Sequence, residues 1–496
     1  MQQSLILMLV TIVSKIFGLL REIALSYVYG TGNTADAFLV SFFIPSILIN
    51  GINLGMATGF VPVYSRIKRE QGRLIADKFT NNVVNLTLIL STLFTVVGLV
   101  FARDIMSLAA IGLDGDTFNQ GIFFARMVMT SIIIASVAGV YRGYLQAYKL
   151  FNVTVASSII MNIIIIISII ASGKMGYKVL GIGTGIGMSL QYLIFIPRLL
   201  STGYRYDKVL NMKDKNLTII NKLSIPVLMG VLVNEVNIIV DKAIASTLEV
   251  GAISSLNYSS GVQEFVVGVV IISIVTVKYT DMSRLASSGE LDKLKENYNY
   301  TLKNNLFLVI PSTIGLMVFS KEIIALLFFR GAFDLTSLEI TSKGLLFYSI
   351  GITGIALNTI GQRVFYSLRQ IKEPVILSVS SVLLNIVLNL WFSKLFGITG
   401  LAMATSLAMT ITGIICVIWL GIKGIGLSKE ILAKSLVKTI ANSVIVILTV
   451  RILYSLNPSN PMLIVCILSA VTAYMYLGIK SDIIDKEDIK GIFKRK

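Results

Sequence analysis

Apolar runs of roughly twenty residues follow one another along almost the whole chain, parted only by short polar stretches. A hydrocarbon core about 30 Å thick is crossed by a helix of roughly 20 residues, so each run is a candidate membrane span. About fourteen such runs can be read. They centre on residues 5–28, 36–62, 80–102, 120–145, 152–173, 179–200, 220–247, 255–282, 302–320, 340–366, 375–397, 399–422, 435–455 and 461–479. Only 14% of the 496 residues are charged, against roughly 25% in soluble proteins. The mean hydropathy is +0.82. Much of the surface must therefore face lipid, which excludes water-soluble domains and intrinsic disorder. The expected fold class is all-α integral membrane. The first run carries Lys15 and Arg21 and no small-x-small cleavage pattern follows it, so it reads as a retained helix.

Several chemistries are excluded with equal economy. The chain has no histidine, which removes imidazole zinc sites, Ser-His-Asp triads and the usual proton shuttle. Cys416 and Cys466 lie inside apolar runs, where neither a disulfide framework nor a thiolate cluster is expected. Asp114 and Asp116 are the one pair of acids in an outer loop, and they read as a solvated turn; the chain is expected not to be an enzyme. The net charge of +17 is sided. About 29 of the Lys and Arg side chains fall on one side of the spans, about 7 on the other and about 7 within them. The rich side includes Arg66, Lys68, Arg69 and Arg73, then Arg205, Lys208, Lys213 and Lys215, then the tail with Lys490, Lys494, Arg495 and Lys496. By the positive-inside rule both termini should be cytoplasmic, so the basic balance is an orientation signal and no nucleic-acid partner is expected.

An internal repeat organises the spans. Val100-Phe101-Ala102-Arg103-Asp104-Ile105 recurs as Val318-Phe319-Ser320-Lys321-Glu322-Ile323, and Ser65-Arg66-Ile67 as Ser283-Arg284-Leu285. Ser157, Ser158 and Asn162 recur as Ser380, Ser381 and Asn385; Arg142 falls opposite Arg363, Arg21 opposite Lys242 and Gly30 opposite Gly251. All of these pairs lie about 220 residues apart, one register throughout. An even number of spans per half keeps the topology, giving two parallel-repeat six-helix lobes plus two C-terminal helices. The boundaries expected are 1–200 for the N-lobe, 201–219 for a cytoplasmic linker, 220–424 for the C-lobe, 425–480 for spans 13 and 14, and 481–496 for a basic cytoplasmic tail. Parallel repeats of this kind are a transporter architecture with alternating access.

Ionisable groups inside a membrane are costly and are candidate functional residues by default. In span 1, Ser14, Gly18, Arg21 and Leu25 share a face, with Lys15 and Glu22 beside it; Asp36 opens span 2. Two cations and one carboxylate there suit an anionic headgroup; alternatively Arg21 pairs with Glu22 or Asp36 to hold spans 1 and 2 together. In the second half, span 7 carries Asn234, Asn237 and Asp241 on one face, with Glu235 and Lys242 adjacent. Span 11 carries Ser378, Ser381, Asn385 and Asn389, and span 12 adds Thr405. These oxygens suit a hard monovalent cation, or the ordinary hydrogen bonding between membrane helices. Glu264, Arg126, Arg142, Lys343 and Arg363 either line a cavity or snorkel to an interface. Pro45, Gly51, Gly55, Gly59, Pro62, Gly261, Gly268 and Pro311 predict bent helices in spans 2, 8 and 9.

The run Ser14-Lys15-Ile16-Phe17-Gly18-Leu19-Leu20-Arg21-Glu22, with Tyr29-Gly30, Thr34-Ala35-Asp36-Ala37-Phe38, Pro45 and Gly59-Phe60-Val61-Pro62-Val63-Tyr64, resembles the MurJ/MviN flippases of the multidrug/oligosaccharidyl-lipid/polysaccharide exporter superfamily. The resemblance implies transport of lipid II, an undecaprenyl pyrophosphate-linked peptidoglycan precursor, from inner to outer leaflet, with spans 13 and 14 forming a groove for the lipid tail. The alternatives it leaves are another lipid-linked polysaccharide repeat unit and a drug exporter of the same superfamily. Arg21 matches one arginine of the family's cavity, and Lys15 stands where another is usual. The arginine expected after the proline of span 2 is absent, with Ile49 and Asn50 in that region. The one expected before the Glu-Phe of span 8 is also absent, since Gly261 precedes Val262-Gln263-Glu264-Phe265. The implied headgroup residues are Lys15, Arg21, Glu22, Asp36, Asn50, Arg142 and Glu264. The family's sodium site is similar to Asp241, Asn385, Asn389 and Thr405, with Asn389 where a carboxylate is usual. The implied partners are a lipid-linked oligosaccharide, membrane lipids and cell-wall synthesis proteins, with sodium as a coupling ion and no other cofactor.

Overall fold

The computed structural model describes residues 2–428, 434–481 and 483, and in it the apolar runs are helices. The first half contains α1 (Gln2–Tyr29), α2 (Asn33–Gly55), α3 (Val61–Gln71), α4 (Arg73–Val100), α5 (Ala102–Ala109), α6 (Gly115–Met129), α7 (Ile132–Ala147), α8 (Phe151–Met175), α9 (Tyr177–Leu190) and α10 (Phe195–Ser201). The remainder contains α11 (Lys215–Ser246), α12 (Ala252–Val266), α13 (Ser273–Ser287), α14 (Leu291–Val318), α15 (Ser320–Phe328), α16 (Leu335–Ser367), α17 (Lys372–Phe396), α18 (Ile398–Ile422), α19 (Leu436–Leu456) and α20 (Asn460–Lys480). Among the described residues, 12 helical segments are long and apolar enough to cross a membrane. The expected fourteen would need α1 and α11 as well. These helices have 28 and 32 residues at the places of spans 1 and 7, but they carry the charged groups Lys15, Arg21 and Glu22, and Glu235, Asp241 and Lys242. Most of the basic tail, with Lys490, Lys494, Arg495 and Lys496, lies outside the described residues.

The repeat is visible in backbone detail. α4 ends at Val100 and α14 at Val318; Phe101 (φ −92°, ψ 17°) and Phe319 (φ −108°, ψ 21°) then turn the chain alike into the short helices α5 and α15. Lys149 and Arg369, with φ of 63° and 60°, are the positive-φ residues other than glycine among those described. Each follows a span end whose last carbonyls are closed by the same back-bond, Leu150 N–H to Leu145 O at 2.9 Å and Gln370 N–H to Phe365 O at 2.9 Å. Span 2 is bent by a π-helical stretch at Met56–Phe60 and span 8 by one at Val267–Ile272. One wide turn in each half is the expected consequence of the Gly and Pro content there.

The chain divides into two compact units, Met1–Ser254 with Arg330–Asp334, and Ser255–Phe329 with Leu335–Lys496. The repeat alone assigns span 7 to the second half, yet α11 belongs to the first unit. The reason lies in small residues. Gly51, Gly55 and Gly59 form a groove into which α11 sinks: a Cβ on Gly51 would lie 3.2 Å from Leu228, and one on Gly55 would lie 3.5 Å from Ser224. Ser224 Oγ also donates to Gly55 O at 2.8 Å. Such small-residue faces let membrane helices approach closely.

The segment between α10 and α11 is strapped to α4 by three asparagines. Asn82 Nδ2 donates to Asn211 O at 2.9 Å while its Oδ1 accepts from Asn211 N at 2.6 Å. Asn85 Nδ2 donates to Val209 O at 2.8 Å, Asn81 Nδ2 to Arg205 O at 3.2 Å, and Tyr204 donates to Asn81 Oδ1. In the second unit, α19 is held by Arg451, whose Nη1 lies 2.5 Å from Glu322 Oε1 and whose guanidinium sits over Phe319. Tyr474 of α20 donates to Phe307 O at 2.7 Å.

Candidate functional site

α1 packs along α8, and a polar seam runs between them. Ser14 and Ser158 share a hydrogen bond of 2.6 Å, Arg21 Nη1 donates to Asn162 Oδ1 at 3.3 Å, and Tyr29 donates to Ser172 Oγ at 2.8 Å. Arg21 is not bare. Its Nη2 lies 2.6 Å from Glu22 Oε1, and its guanidinium sits 5.1 Å from the centre of the Phe42 ring. Of the partners the sequence offers Arg21, the structure selects Glu22, on its own helix. Lys15 is exposed on α1.

Asp36, only 2% exposed, is fully engaged by backbone. Oδ2 accepts from Gly251 N at 2.7 Å and Oδ1 from Ser254 N at 2.8 Å. These amides flank the start of α12, where N–H groups have no helical partner, so Asp36 caps that helix from more than 200 residues away. Near it, Lys242 Nζ donates to Leu39 O at 3.1 Å and feels the charges of Glu22, Asp36 and Asp241. This end of the first unit is thus a compensated network.

Arg142 stands differently. On α7, its guanidinium lies 6.0 Å from the centre of the Phe195 ring, and its buried Nε meets no acceptor among the described residues. It also makes no ion pair with a described carboxylate, which sets it apart from Arg21. A tyrosine cluster closes the same end of α7. Tyr64 donates to Asp77 Oδ1 at 3.1 Å and to Tyr148 at 3.3 Å, Tyr144 donates to Tyr148 at 3.4 Å, and the Lys68 ammonium sits 3.7 Å from the centre of the Tyr148 ring. Burial raises the Tyr148 phenol, but the two donated hydrogen bonds and Lys68 outweigh it and hold the group below its usual range. Sequence reading passed over this cluster, because aromatic residues near a span end ordinarily read as interface anchors.

On the face between α2 and α11, Asn50 is exposed and hydrogen-bonds the carboxyl of Glu235. In the second unit Glu264 is exposed on α12. Three of the proposed cation ligands meet there: Asn389 Nδ2 donates to Asn385 Oδ1 at 2.8 Å, and Asn385 Nδ2 donates to Thr405 Oγ1 at 3.2 Å. Turning the Asn385 amide over would set its carbonyl oxygen beside the Thr405 hydroxyl, oxygen donors of the kind a hard monovalent cation takes. Asp241, the fourth, belongs to the first unit, as does Asn237; the side chain of Asn234 is outside what is described.

Among the expected headgroup residues, the first unit offers one compensated arginine, Arg21, one arginine free of any described carboxylate, Arg142, and one exposed lysine, Lys15. That is equipment for holding and releasing an anion.

The chain as a whole is similar to known proteins. The family model described as "Lipid II flippase MurJ" matches residues 25–472. A probable lipid II flippase MurJ of Buchnera aphidicola subsp. Baizongia pistaciae is 30% identical over 411 residues, covering 81% of this chain and 80% of that one. The lipid II flippase MurJ of Burkholderia cenocepacia is 24% identical, covering 84% and 82%. Among solved structures, a lipid II flippase MurJ in an inward closed conformation superposes with a TM-score of 0.83 at 25% identity, covering 96% of this chain and 98% of that one. An inward-facing multidrug resistance MATE family transporter shares the fold, with a TM-score of 0.73 at 15% identity over 85% of this chain and 98% of that one.

Proposed function

Since the chain belongs to the MurJ family of lipid II flippases, we propose that it carries lipid II from the inner to the outer leaflet by alternating access. The match of the family model across residues 25–472 carries this reading. The sugar and peptide cross with the protein, and the prenyl tail stays in lipid along α19 and α20. That face is apolar and exposed at Leu448, Ile452, Ile464, Leu468 and Val471. The substrate is moved, not altered, and is delivered to the cell-wall synthesis proteins outside.

Within the first unit, Arg142 and Arg21 hold the pyrophosphate, and they do so unequally. Arg21 must exchange Glu22 for phosphate, giving up one charge-assisted bond to make another. Arg142 gives up no carboxylate, so each phosphate bond it makes is a net gain of roughly 1.5–3 kcal/mol. Arg142 therefore captures the headgroup, and Arg21 supplies the exchange that lets it go. Lys15 adds charge at the exposed side of α1. When a coupling cation is bound, it would contribute positive charge to the cycle, and Asn385, Asn389 and Thr405 of the second unit would supply its neutral oxygens.

Translocation of labelled lipid II in vesicles tests the assignment. R142A and R21A are expected to slow it by at least about tenfold, a loss of about 1.4 kcal/mol in headgroup binding, and R142K should retain part of the rate. Unchanged translocation in R142A would remove the pyrophosphate from this arginine. If the wild-type protein instead moved only a lipid-linked polysaccharide unit, the headgroup would be reassigned.

A further inference from the structure

The tyrosine cluster of the first unit has no part in the carrier cycle as described. Tyr148 caps the end of α7, and its phenol oxygen accepts hydrogen bonds from Tyr64 at 3.3 Å and from Tyr144 at 3.4 Å. Its own O–H meets no acceptor among the described residues. The Lys68 ammonium lies 3.7 Å from the centre of the same ring. A cation held against a ring face keeps N–H donors on its far side. Two donor groups, one of them charged, are thus set side by side with hydrogens to spare.

The charges of the cluster leave a surplus of one cation. α3 brings Lys68, and α4 brings Arg73 and Asp77. Asp77 accepts from Tyr64 at 3.1 Å and from Arg73 Nε at 3.2 Å, so that carboxylate and that guanidinium answer each other. Lys68 makes no ion pair with a described carboxylate. Both Lys68 and Tyr148 are half-buried, where a contact with an incoming anion is screened less than at the open surface. The hydrogen bonds and the charge that hold the Tyr148 phenol below its usual range also polarise its O–H and make it a stronger donor.

Position names the group that fits. The apolar run of α7 ends at Tyr141 and Arg142 follows it; Tyr148 lies six residues beyond Arg142, about 9 Å further along the axis. In a lipid-linked precursor the pyrophosphate joins the lipid, and the sugar and peptide extend beyond it, away from the hydrocarbon. A group met that far past the phosphate-binding arginine belongs to the sugar-peptide, and the anion a peptide carries whatever its sequence is its terminal carboxylate. We infer that Tyr148 and Lys68 form a carboxylate subsite for the peptide of the headgroup, the phenol O–H donating to one oxygen and the ammonium to the other. The subsite sets specificity, because a lipid-linked sugar without a carboxylate offers it nothing. The inference rests on the flippase reading for the identity of the ligand, and binding is measured apart from transport so that the two can fail separately.

Equilibrium binding to the purified full-length protein in detergent tests it with two probes, lipid II and lipid II whose peptide carboxylates are converted to amides. The wild type should bind lipid II about tenfold more tightly than the amide, the scale of one charge-assisted contact. Y148F removes one donor and keeps the ring, and K68M removes the charge; each should bring the two affinities to within about twofold of each other. K68R should keep part of the preference, and R142A should weaken both probes alike. The substitutions sit on different helices, so K68M carries the test where Y148F does not fold. A wild type that does not distinguish the probes overturns the subsite, and so do variants that weaken both probes equally and keep the wild-type ratio, as a purely structural cluster would. If the ratios are as expected but vesicles show no translocation of lipid II, the flippase reading fails and the subsite stands.

Discussion

At the scale of single residues, the difference between a charge that binds and a charge that holds is set by what already surrounds it. Asp36 sits beside the family's N-terminal motif, yet both of its oxygens are consumed by the amides of Gly251 and Ser254. D36N keeps one acceptor oxygen and loses the charge, so it should lower stability by about 1.5–3 kcal/mol, the range for charge-assisted hydrogen bonds. D36A strands both amides and should cost at least as much. Thermal unfolding of the purified protein, followed by circular dichroism, checks both; a D36A melting point equal to wild type would return Asp36 to the headgroup. Asn389 presents the converse case. It is fully buried and bonded to Asn385, a neutral amide at one end of a neutral trio. N389D adds a carboxylate to that oxygen set and should tighten sodium binding by about tenfold or more, about 1.4 kcal/mol, measured with radiolabelled sodium in the absence of lipid II. The sequence exposed Asp36, Arg21 and Asn389 as residues out of place in a membrane, which is a local property. It could not expose their partners, since Asp36 meets its two amides across 215 and 218 positions.

At the scale of helices, close approach is the variable. A Cβ at Gly59 would collide with Ser224 Oγ and come within 3.0 Å of the Ile220 carbonyl oxygen, a backbone atom that yields only if α11 moves. G59A is therefore expected to destabilise the first unit by about 1–3 kcal/mol through overpacking. Gly18 lies in the middle of α1 with nothing within 4 Å of its Cβ direction, so G18A should be neutral or stabilising by up to about 1 kcal/mol. Paired denaturation curves test the contrast, and equal effects at the two glycines would sink it. The repeat and nearly every span were legible because twenty apolar residues are a strong signal and the two halves keep register. α5 and α15 were not, although they fall on the very motif that revealed the repeat. Eight or nine residues of mixed polarity are too short to stand out beside spans. The membership of α11 was hidden for another reason. Duplication dictates which half a helix descends from, whereas the glycines of span 2 dictate what it packs on.

At the scale of the whole molecule, sidedness follows from parity and charge together. Lys149 and Arg369 occupy the same left-handed position after repeat-equivalent spans, and six spans separate the two turns, so both should face the same compartment. That compartment should also receive Arg66, Lys68, Arg69 and Arg73 and the basic segment that the α4 asparagines strap down, so by the positive-inside rule it should be the cytoplasm. The turns at Leu113 and Asn457, by the same count, should face outward. Both native cysteines are buried, so single introduced cysteines can be read against a low background. A membrane-impermeant maleimide added to intact cells should label L113C and N457C, and should label K149C and R369C only after the membrane is opened. Labelling of one inner turn but not the other would break the parity argument and with it the parallel repeat. Labelling of both inner turns in intact cells would leave the repeat standing but invert the protein, and a flippase that takes its substrate from the inner leaflet would then carry its headgroup arginines at the wrong entrance.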